Sequence, residues 1–469
     1  MSGRDSFDLI VVGGGSAGFA AAIAAAGRGA RTAIVESGTL GGTCVNVGCV
    51  PSKTLIRAAE VRHRRAHHGF AGIATSQEPV EWPAVRGAKD QLVATLRQAK
   101  YADVLAAYDG IELVRQRAQL EPGRVRLADG RVLRAGKTIV ATGSSPWAPP
   151  IPGLDGVPYL DSTSAMALDE LPASLAVVGA SAVGLELAQT FARLGVAVTV
   201  LEAQPNVVPA EDAMVGHALA GYLRDEGLDI ETGVRIERVS AAGGRVTIDA
   251  AIGTRRRAVT ADRLLVSTGR RANTRGLGLE DVGVALGPKG EIVVDHTLRT
   301  ANPDVYAAGD VIGDPMFVYV AAYGGALAAE NALTGAARRY DLMALPRVTF
   351  TDPAVASVGL SAAQAAAGGI EALVSTLPME HVPRALAARD TRGFVTLVAD
   401  AATRRIVGAQ ILASEAGEMI TEPALAIRHG LTIEDLTSAF HPYLTLSEGI
   451  RLAAQTFDRD VKALSCCAA

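Results

Sequence analysis

The chain has 469 residues, a formal net charge of −4 and 49% hydrophobic residues, and this length favours about three domains. The slightly acidic balance excludes a basic footprint for nucleic acid or for an anionic membrane surface. Because no long apolar run and no signal peptide are found, we expect a cytoplasmic location without stable membrane association. With only 4 cysteines, a secreted disulfide scaffold is excluded, and catalytic or metal-binding thiols are favoured.

The first pattern along the chain is typical of dinucleotide binding. Residues 7–12 and 32–35 predict two short strands, and Glu36 ends the second. The turn and helix start between them contain Gly13, Gly15, Ser16 and Gly18. The glycines permit a tight turn and close approach of a pyrophosphate, and Glu36 can accept a hydrogen bond from a ribose hydroxyl.

A cysteine pair follows this pattern. Cys49 lies just before a predicted helix over residues 52–65, where the positive end of the helix dipole lowers a thiol pKa. Five steps of straight helix rise about 7.5 Å, too far for the Cα atoms of a disulfide. The chain between Cys44 and Cys49 must therefore bend, and Gly48 supplies the freedom to do so. We interpret the pair as a redox-active dithiol beside the first cofactor; two ordinary buried cysteines are the alternative.

A second dinucleotide pattern begins with predicted strands over residues 175–178 and 197–201, and Glu202 ends the latter. The intervening turn contains Gly179, Ser181 and Gly184, with serine in place of the middle glycine. Two such units indicate two dinucleotides, and we assign a flavin to the first and a nicotinamide to the second. Glu202 can bind a 2′-hydroxyl and repel a 2′-phosphate, and no basic residue stands in the next 8 positions, which favours NADH over NADPH.

Several shorter segments complete this organisation. A predicted strand over residues 138–141 leads to Thr142 and Gly143, and another over 264–267 leads to Gly269. Gly309 and Asp310 follow a third, where a carboxylate suits the ribityl or phosphate region of a flavin.

Two further regions show no nucleotide motif. Residues 54–120 are predicted to be helical, and the histidines within them, His63, His67 and His68, are interpreted as a solvated face and not as a metal site. From residue 346 onward, strands and helices form a third domain of the kind that often makes a subunit interface. The chain ends with Cys466 and Cys467, which are well placed on a terminal tail to bind a soft cation through two thiolates.

Residues 41–53, both dinucleotide patterns and the C-terminal domain resemble the FAD-dependent pyridine nucleotide–disulfide oxidoreductases. That resemblance implies an α/β fold with two Rossmann-like domains and an α+β dimerisation domain. The implied FAD-binding domain covers residues 1–152 and 272–342, the NAD(P)H-binding domain 153–271, and the dimerisation domain 343–469. It also implies a homodimer whose C-terminal domains complete the partner's active site.

The resemblance assigns roles around the dithiol. Cys49 would be the flavin-facing thiolate and Cys44 the interchange thiol. Lys53 would lie near the flavin and pair with Glu186. The same resemblance places Gly42 and Thr43, together with Lys53, among the residues that contact FAD.

One departure indicates the subgroup. Disulfide-reducing members carry a histidine five residues before a C-terminal glutamate, whereas here Tyr443 stands five before Glu448, and His441 is two places out of register. A dithiol enzyme without that histidine is poorly equipped to protonate a leaving thiolate.

Tyr443, Tyr101 and the tail cysteines together resemble the mercuric reductase family. In that family the tail cysteines of one subunit pass thiol-bound Hg(II), the substrate, to the inner pair of the other, with the two tyrosines flanking the metal. The resemblance implies NAD(P)H-dependent reduction of Hg(II) to Hg(0) for detoxification.

Two departures from that family remain. We expect the protein to start directly at the flavin strand, without the N-terminal metal-binding domain that many members carry, and Glu202 points away from the family's usual NADPH. Two other functions stay as alternatives. A thioredoxin-reductase-like or dihydrolipoamide-dehydrogenase-like enzyme would turn over a disulfide, and a thiol-rich sequestering protein would bind metal without consuming NAD(P)H.

Overall fold

The computed structural model describes residues 5–463. In its first part the strands are β1 Ser6–Val12, β2 Thr32–Val35, β3 Ile111–Val114, β4 Ala118–Glu121, β5 Arg124–Leu127, β6 Val132–Val140 and β7 Ser144–Pro146. The helices are α1 Ser16–Ala26, α2 Gly42–Val47, α3 Cys49–Ala66, α4 Trp82–Arg97 and α5 Asp103–Ala106, with a π-helical turn, Gln98–Ala102, between the last two. β3, β2, β1 and β6 lie side by side in parallel, and β5 and β4 extend this sheet in antiparallel fashion.

A second unit repeats the strand–turn–helix–strand arrangement. Its strands are β8 Ser174–Val178, β9 Ala197–Leu201, β10 Asp229–Glu231, β11 Val234–Ala242, β12 Arg245–Ile252, β13 Arg255–Ala261, β14 Arg263–Val266 and β15 Arg270–Ala272. Its helices are α6 Ser162–Ala165, α7 Ala182–Arg193 and α8 Ala213–Asp225. β10, β9, β8 and β14 form a parallel sheet, and β11, β12 and β13 form an antiparallel one. β15 then pairs with β7 and leads the chain back toward the first sheet.

The chain rejoins the first sheet through β16, Val305–Ala307, which pairs in parallel with β6. Helix α9, Val318–Thr334, follows and packs on α1. The two helices approach closely at Gly325, where an added Cβ atom would lie 2.0 Å from the carbonyl oxygen of Ala17. This contact explains the glycine, because any side chain there would push α9 off the helix that begins at the first glycine-rich turn.

The C-terminal part is an antiparallel sheet covered by helices. Its strands are β17 Arg347–Thr349, β18 Ala354–Gly359, β19 Ala372–Pro378, β20 Phe394–Asp400 and β21 Ile406–Ala413, in the spatial order β17, β18, β21, β20, β19. Its helices are α10 Ala362–Ala367, α11 Pro383–Ala388, α12 Ala416–Met419, α13 Thr421–His429, α14 Ile433–Ser438 and α15 Glu448–Gln455. The apolar faces of this sheet and its helices share one core, which includes Val395, Ile411 and Ile450.

The mixed α/β fold predicted from the sequence is confirmed, and the strands on both sides of each glycine-rich turn lie where the patterns place them. The prediction of helix throughout residues 54–120 is wrong in two places, because residues 67–81 form no helix and because β3 and β4 fall at its end. β3 adds to the edge of the first sheet beside β2, and this long-range pairing overrides local helix propensity. Among residues 5–463, no helix combines the length and the apolar character that a membrane crossing requires.

Candidate active site

The first glycine-rich turn is built by close backbone contacts. Gly13 has φ +114°, and an added Cβ atom would lie 2.3 Å from the carbonyl oxygen of Ala141, so only glycine is tolerated. The Glu36 carboxylate accepts hydrogen bonds from the backbone N–H groups of Gly14 (2.6 Å) and Gly38 (2.5 Å). In this structure the acid that was predicted to face a ribose holds the turn and the end of β2 together.

A cavity of about 1660 Å³ extends from this turn to the dithiol. It exceeds the roughly 300–1,000 Å³ of most small-ligand pockets, so it can hold a cofactor as large as a flavin dinucleotide. The predicted residues that it brings together are Gly13, Gly15, Ser16, Glu36, Gly42, Thr43, Cys44, Cys49, Lys53, Thr142, Gly143, Glu186, Gly309 and Asp310. Gly18 lies behind the lining, where an added Cβ atom would lie 1.9 Å from the carbonyl oxygen of Gly13. The cavity has the glycine-rich turn and Glu36 at one end and the two cysteines at the other. This arrangement fits FAD.

The two thiols meet across a sharp bend. Cys44 lies within α2, Cys49 is the first residue of α3, and Gly48 between them has φ −125° and ψ −109°. An added Cβ atom on Gly48 would lie 2.9 Å from the carbonyl oxygen of Thr43. The bend predicted from the cysteine spacing is confirmed. Both cysteines are free thiols and line the cavity.

The two cysteines differ in acidity. The Cys44 thiol donates a hydrogen bond to the Cys49 sulfur, and this bond, together with the positive charge of Lys53, lowers the pKa of Cys49 to about 7 against the opposing effect of burial. The same hydrogen bond, with burial and the Cys49 charge, raises the pKa of Cys44 far above its ordinary value. Cys49 is therefore the thiolate of the pair near neutral pH, and Cys44 remains a neutral thiol.

Lys53 contacts residues from two other parts of the chain. Its ammonium lies 2.7 Å from Oε2 of Glu186, which is 6% exposed on α7, and 4.5 Å from the centre of the Phe350 ring. The backbone N–H of Phe350 in turn donates to Oε1 of Glu186 at 2.9 Å. Phe350 was not predicted from the sequence, because an isolated aromatic residue carries no signal for a role beside the dithiol.

Tyr101 lies near the dithiol, although it is not part of the cavity lining. Its ring packs edge-on against Phe19, with the ring centres 4.9 Å apart, and it is half-buried on the π-helical turn. Burial raises the pKa of Tyr101, the negative charge of the nearby thiol pair adds to that shift, and a hydrogen bond with Ser16 opposes it. The phenol is therefore un-ionised at neutral pH.

The second glycine-rich turn repeats the architecture of the first. Gly179 has φ +101°, and an added Cβ atom would lie 2.6 Å from the carbonyl oxygen of Ser267. Glu202, which is 6% exposed, accepts the backbone N–H groups of Ala180 (2.6 Å) and Gln204 (2.8 Å). The remaining predicted residues of this unit, Ser181, Gly184 and Gly269, lie with it outside the cavity lining, whereas Val183, Glu186 and Leu187 of α7 belong to the lining.

Asp310 is oriented by two residues that sequence reasoning missed. Ser144 donates from Oγ to the Asp310 carboxylate at 2.7 Å, and Arg270 donates from Nε to the Ser144 Oγ at 2.7 Å. Both residues stand within a few positions of Gly143 and Gly269, the two short motifs that the sequence did single out. Ser144 directly follows Gly143 and Arg270 directly follows Gly269, and this position could have identified both residues as candidates.

Tyr443 is not among the residues that line this cavity. Tyr443 lies between α14 and α15 and is 52% exposed. Cys466 and Cys467 lie outside the described residues. Within residues 5–463, no cluster of three or more His, Cys, Asp and Glu side chains is arranged to hold a metal ion.

The interpretation of His63 as part of a solvated face is wrong. Its side chain is 17% exposed and lies 3.8 Å from the Glu226 carboxylate. Burial lowers the pKa of His63 to about 4, with the charge of Arg193 contributing. α3 packs against α7 here, so a helix face that is polar in sequence is covered by a neighbouring domain.

Glu226 belongs to an ion-pair network that links separate parts of the chain. Arg193, which is 4% exposed, lies 2.6 Å from Glu226 and 2.9 Å from Asp352. Arg392 lies 3.1 Å from Glu226 and 2.9 Å from Asp352. The network joins α7 and the end of α8 to the C-terminal sheet and thereby fixes the helix that carries Glu186.

Comparison with known families agrees with this architecture. Residues 7–325 match the family model described as pyridine nucleotide-disulphide oxidoreductase, and residues 345–454 match the dimerisation domain of the same family. The chain belongs to the pyridine nucleotide-disulphide oxidoreductases, which use FAD.

Within that family the chain is similar to mercuric reductases. It is 47% identical to the mercuric reductase of Streptomyces lividans over 476 residues, which cover 100% of both chains. It is 44% identical to that of Staphylococcus aureus, covering 98% of this chain and 84% of the relative. It is 42% identical to that of Bacillus cereus, covering 99% of this chain and 74% of the relative.

Solved structures show the same fold. The Cu(II) complex of the HOCl-induced flavoprotein disulfide reductase RclA from Escherichia coli matches with a TM-score of 0.86 and 30% identity, over 97% of this chain and 100% of that chain. LpdA from Mycobacterium tuberculosis matches with a TM-score of 0.84 and 31% identity, over 96% of this chain and 100% of that chain.

Proposed function

We propose that this protein is an NAD(P)H-dependent flavoenzyme that reduces thiol-bound Hg(II) to Hg(0). The observation that carries the proposal is the pair of free thiols, Cys44 and Cys49, which lies with Lys53 at the wall of a dinucleotide-sized cavity. The similarity over the whole chain to mercuric reductases supports Hg(II) as the substrate.

The proposed domains follow the glycine-rich turns. Residues 1–152 and 272–342 bind FAD, residues 153–271 bind the nicotinamide coenzyme, and residues 343–469 form the dimerisation domain. The backbone of the first turn and Glu36 would hold the adenosine end of FAD, and Asp310 with Ser144 the ribityl or phosphate region. When bound, FAD supplies a two-electron carrier between the nicotinamide and the dithiol.

The chain's own residues bind the metal. Hg(II) is a soft cation that prefers two thiolates in a linear arrangement, so Cys44 and Cys49 would bind it together. The Cys49 thiolate displaces one thiolate ligand of the incoming complex, and Cys44 displaces the second, while its proton passes to a departing thiolate. NAD(P)H then provides two electrons in all, so that Hg(II) becomes Hg(0), which leaves, and the proton that is released with NAD(P)⁺ returns to Cys44.

Tyr443 and Tyr101 would flank the metal in place of the histidine of disulfide-reducing relatives. No proton is delivered to the metal during this reduction, so the loss of a proton-shuttling histidine costs little. Burial raises the pKa of Tyr101, which keeps its phenol neutral beside the thiols. Tyr443 would act from the partner subunit in a homodimer, consistent with the dimerisation domain matched at residues 345–454.

Cys466 and Cys467 would capture Hg(II) from thiol complexes and pass it to the inner pair of the partner subunit. Successive pairs of thiols permit exchange without release of the metal. The chemistry suits the cytoplasm, where thiols are kept reduced.

The coenzyme preference is proposed from Glu202. Two backbone N–H groups hold this buried carboxylate at the second glycine-rich turn, and a carboxylate beside the ribose disfavours a 2′-phosphate. NADH is therefore proposed as the better substrate, against the expectation of NADPH from the family.

The test is anaerobic oxidation of NADH and of NADPH by the purified yellow holoenzyme, with and without Hg(II) in excess thiol. Oxidation that depends on Hg(II), with loss of volatile mercury, is the expected result. Oxidation that depends on a disulfide substrate and not on Hg(II) would overturn the proposal. Stoichiometric metal binding without consumption of coenzyme would also overturn it.

A further inference from the structure

The segment between α14 and α15, residues 439–447, presents one buried side chain among exposed ones. Phe440 is fully exposed and Tyr443 is 52% exposed, whereas the His441 side chain is only 5% exposed. The two aromatic side chains therefore face outward, whereas the imidazole ring of His441 is buried against the domain. Such an arrangement anchors a loop at a defined point.

His441 makes contacts on both sides of its ring. Nε2 lies 2.7 Å from Oε1 of Glu422 on α13, and Nδ1 lies 3.2 Å from the carbonyl oxygen of Ala439. A carboxylate and a carbonyl are both acceptors, so the geometry calls for an N–H on each ring nitrogen. The Glu422 carboxylate correspondingly raises the pKa of His441. The result is a nearly buried, charge-assisted anchor two residues before Tyr443.

Glu448 anchors the other side of the loop. It is 4% exposed, and its carboxylate accepts the backbone N–H of Leu444 at 3.3 Å. Leu444 has φ +60°, a left-handed conformation that is uncommon for a residue with a side chain. Thr445 closes the turn by donating from Oγ1 to the Pro442 carbonyl at 2.9 Å. Tyr443 therefore lies between a side-chain anchor at His441 and a backbone anchor at Leu444.

We propose that His441 and Glu448 are positioning residues for Tyr443, the former through Glu422 and the latter through the Leu444 backbone. The histidine that resembles a displaced catalytic residue in sequence is paired with a different glutamate and serves to hold the loop. Glu448, freed from orienting a histidine, holds the tyrosine-bearing turn. This inference rests on the proposed role of Tyr443 in the reduction of Hg(II).

The experiment compares holoenzyme variants in two assays. In His441→Ala and in Glu422→Ala, Hg(II)-dependent turnover is expected to fall by about tenfold or more. The reason is that the loop no longer holds Tyr443 in its position. The rate at which the coenzyme bleaches the flavin is expected to stay unchanged, since the loop is not part of the cavity lining. Hydrogen exchange at the Leu444 amide is expected to become faster in both variants. Glu422→Ala breaks the same His441–Glu422 contact from the glutamate side. It replaces His441→Ala in the test if His441→Ala does not retain flavin.

A double variant separates positioning from general damage. If His441 acts through Tyr443, adding His441→Ala to Tyr443→Phe lowers turnover no further than Tyr443→Phe alone. His381→Ala is the matched control, because His381 lies 3.7 Å from the Glu380 carboxylate in the same domain but outside this loop.

The inference would be overturned by full Hg(II) turnover in His441→Ala, by a loss that adds fully to that of Tyr443→Phe, or by an equal loss in His381→Ala. If the unaltered enzyme shows Hg(II)-dependent oxidation but Tyr443→Phe matches it, the inference fails while the proposed reductase stands. If the unaltered enzyme shows no such oxidation, the proposed function itself fails.

Discussion

The Lys53 ammonium lies 2.7 Å from the Glu186 carboxylate, although the two residues are 133 positions apart in the chain. The pair joins α3, which begins with Cys49, to α7, which begins at the second glycine-rich turn. Lys53 also lowers the pKa of Cys49 and Glu186 raises it. One ion pair therefore links the two units, and its two members act with opposite signs on the acidity of Cys49.

Substitutions in this pair should shift the acidity of Cys49 in opposite directions. Because the positive charge favours the thiolate, Lys53→Met is expected to raise the pKa of Cys49 from about 7, by about one unit. Glu186→Gln removes a negative charge and should lower the same pKa. The measurement is the pH dependence of iodoacetamide labelling of Cys49 in the reduced holoenzyme, read by peptide mass spectrometry. Shifts of the same sign in both variants would contradict the assignment.

Removal of the tail thiols should affect turnover most when Hg(II) arrives with strong competing ligands. A double variant, Cys466→Ala with Cys467→Ala, is expected to lose most activity in excess glutathione, because the inner pair lies at a cavity wall and exchanges slowly with bulky complexes. Activity with weakly ligated Hg(II) should be largely kept. Initial rates of NADH oxidation at fixed Hg(II) and increasing glutathione test this. Unchanged rates at high glutathione would remove the tail from the pathway.

Tyr443→Phe should slow Hg(II) turnover by about tenfold while flavin content stays the same. The phenol oxygen is the only atom removed, and Tyr443 is not part of the lining of the flavin-sized cavity. The ratio of flavin absorbance to protein absorbance gives the cofactor content, and steady-state kinetics give the rate. Normal turnover would mean that Tyr443 takes no part in the reaction.

Glu202 should govern the choice of coenzyme. Glu202→Gln removes the negative charge but keeps an oxygen that can accept the Ala180 N–H. The ratio of kcat/KM for NADPH to that for NADH is expected to rise by about tenfold, equal to about 1.4 kcal/mol. Glu36→Gln at the first turn is the matched control, because Glu36 makes the same kind of contact with Gly14. An unchanged ratio in Glu202→Gln would show that other residues select the coenzyme.

Loss of Glu226 should destabilise the fold. The Glu226→Ala variant leaves the nearly buried Arg193 with Asp352 as its remaining carboxylate partner, and breaking a buried pair costs about 3 kcal/mol. We expect the thermal unfolding midpoint of the holoenzyme to fall by several degrees. Glu237→Ala, which removes a partner of the exposed Arg235 and Arg256, should leave it unchanged. Equal midpoints in both variants would contradict a stabilising role for the network.

Local sequence patterns were sufficient to predict the parts of this protein whose structure depends on residues close together in the chain. The glycine-rich turns, the acids that end β2 and β9, and the bend between Cys44 and Cys49 follow from short segments. Their backbone conformations are dictated by glycine at positions such as Gly13 and Gly179. The Lys53–Glu186 pair was expected only through family resemblance, since no local rule links residues so far apart.

Tertiary structure alone decided the contacts between segments that lie far apart. Three contacts depend on which surfaces pack against each other in the folded chain. They are the burial of His63 under the second unit, the Phe350 ring over Lys53, and the pairing of His441 with Glu422. Residues 54–120 illustrate the same limit, because β3 becomes a strand only where β2 offers a sheet edge. A sequence specifies backbone turns locally, whereas burial and ion pairing depend on distances that exist only after the domains have packed.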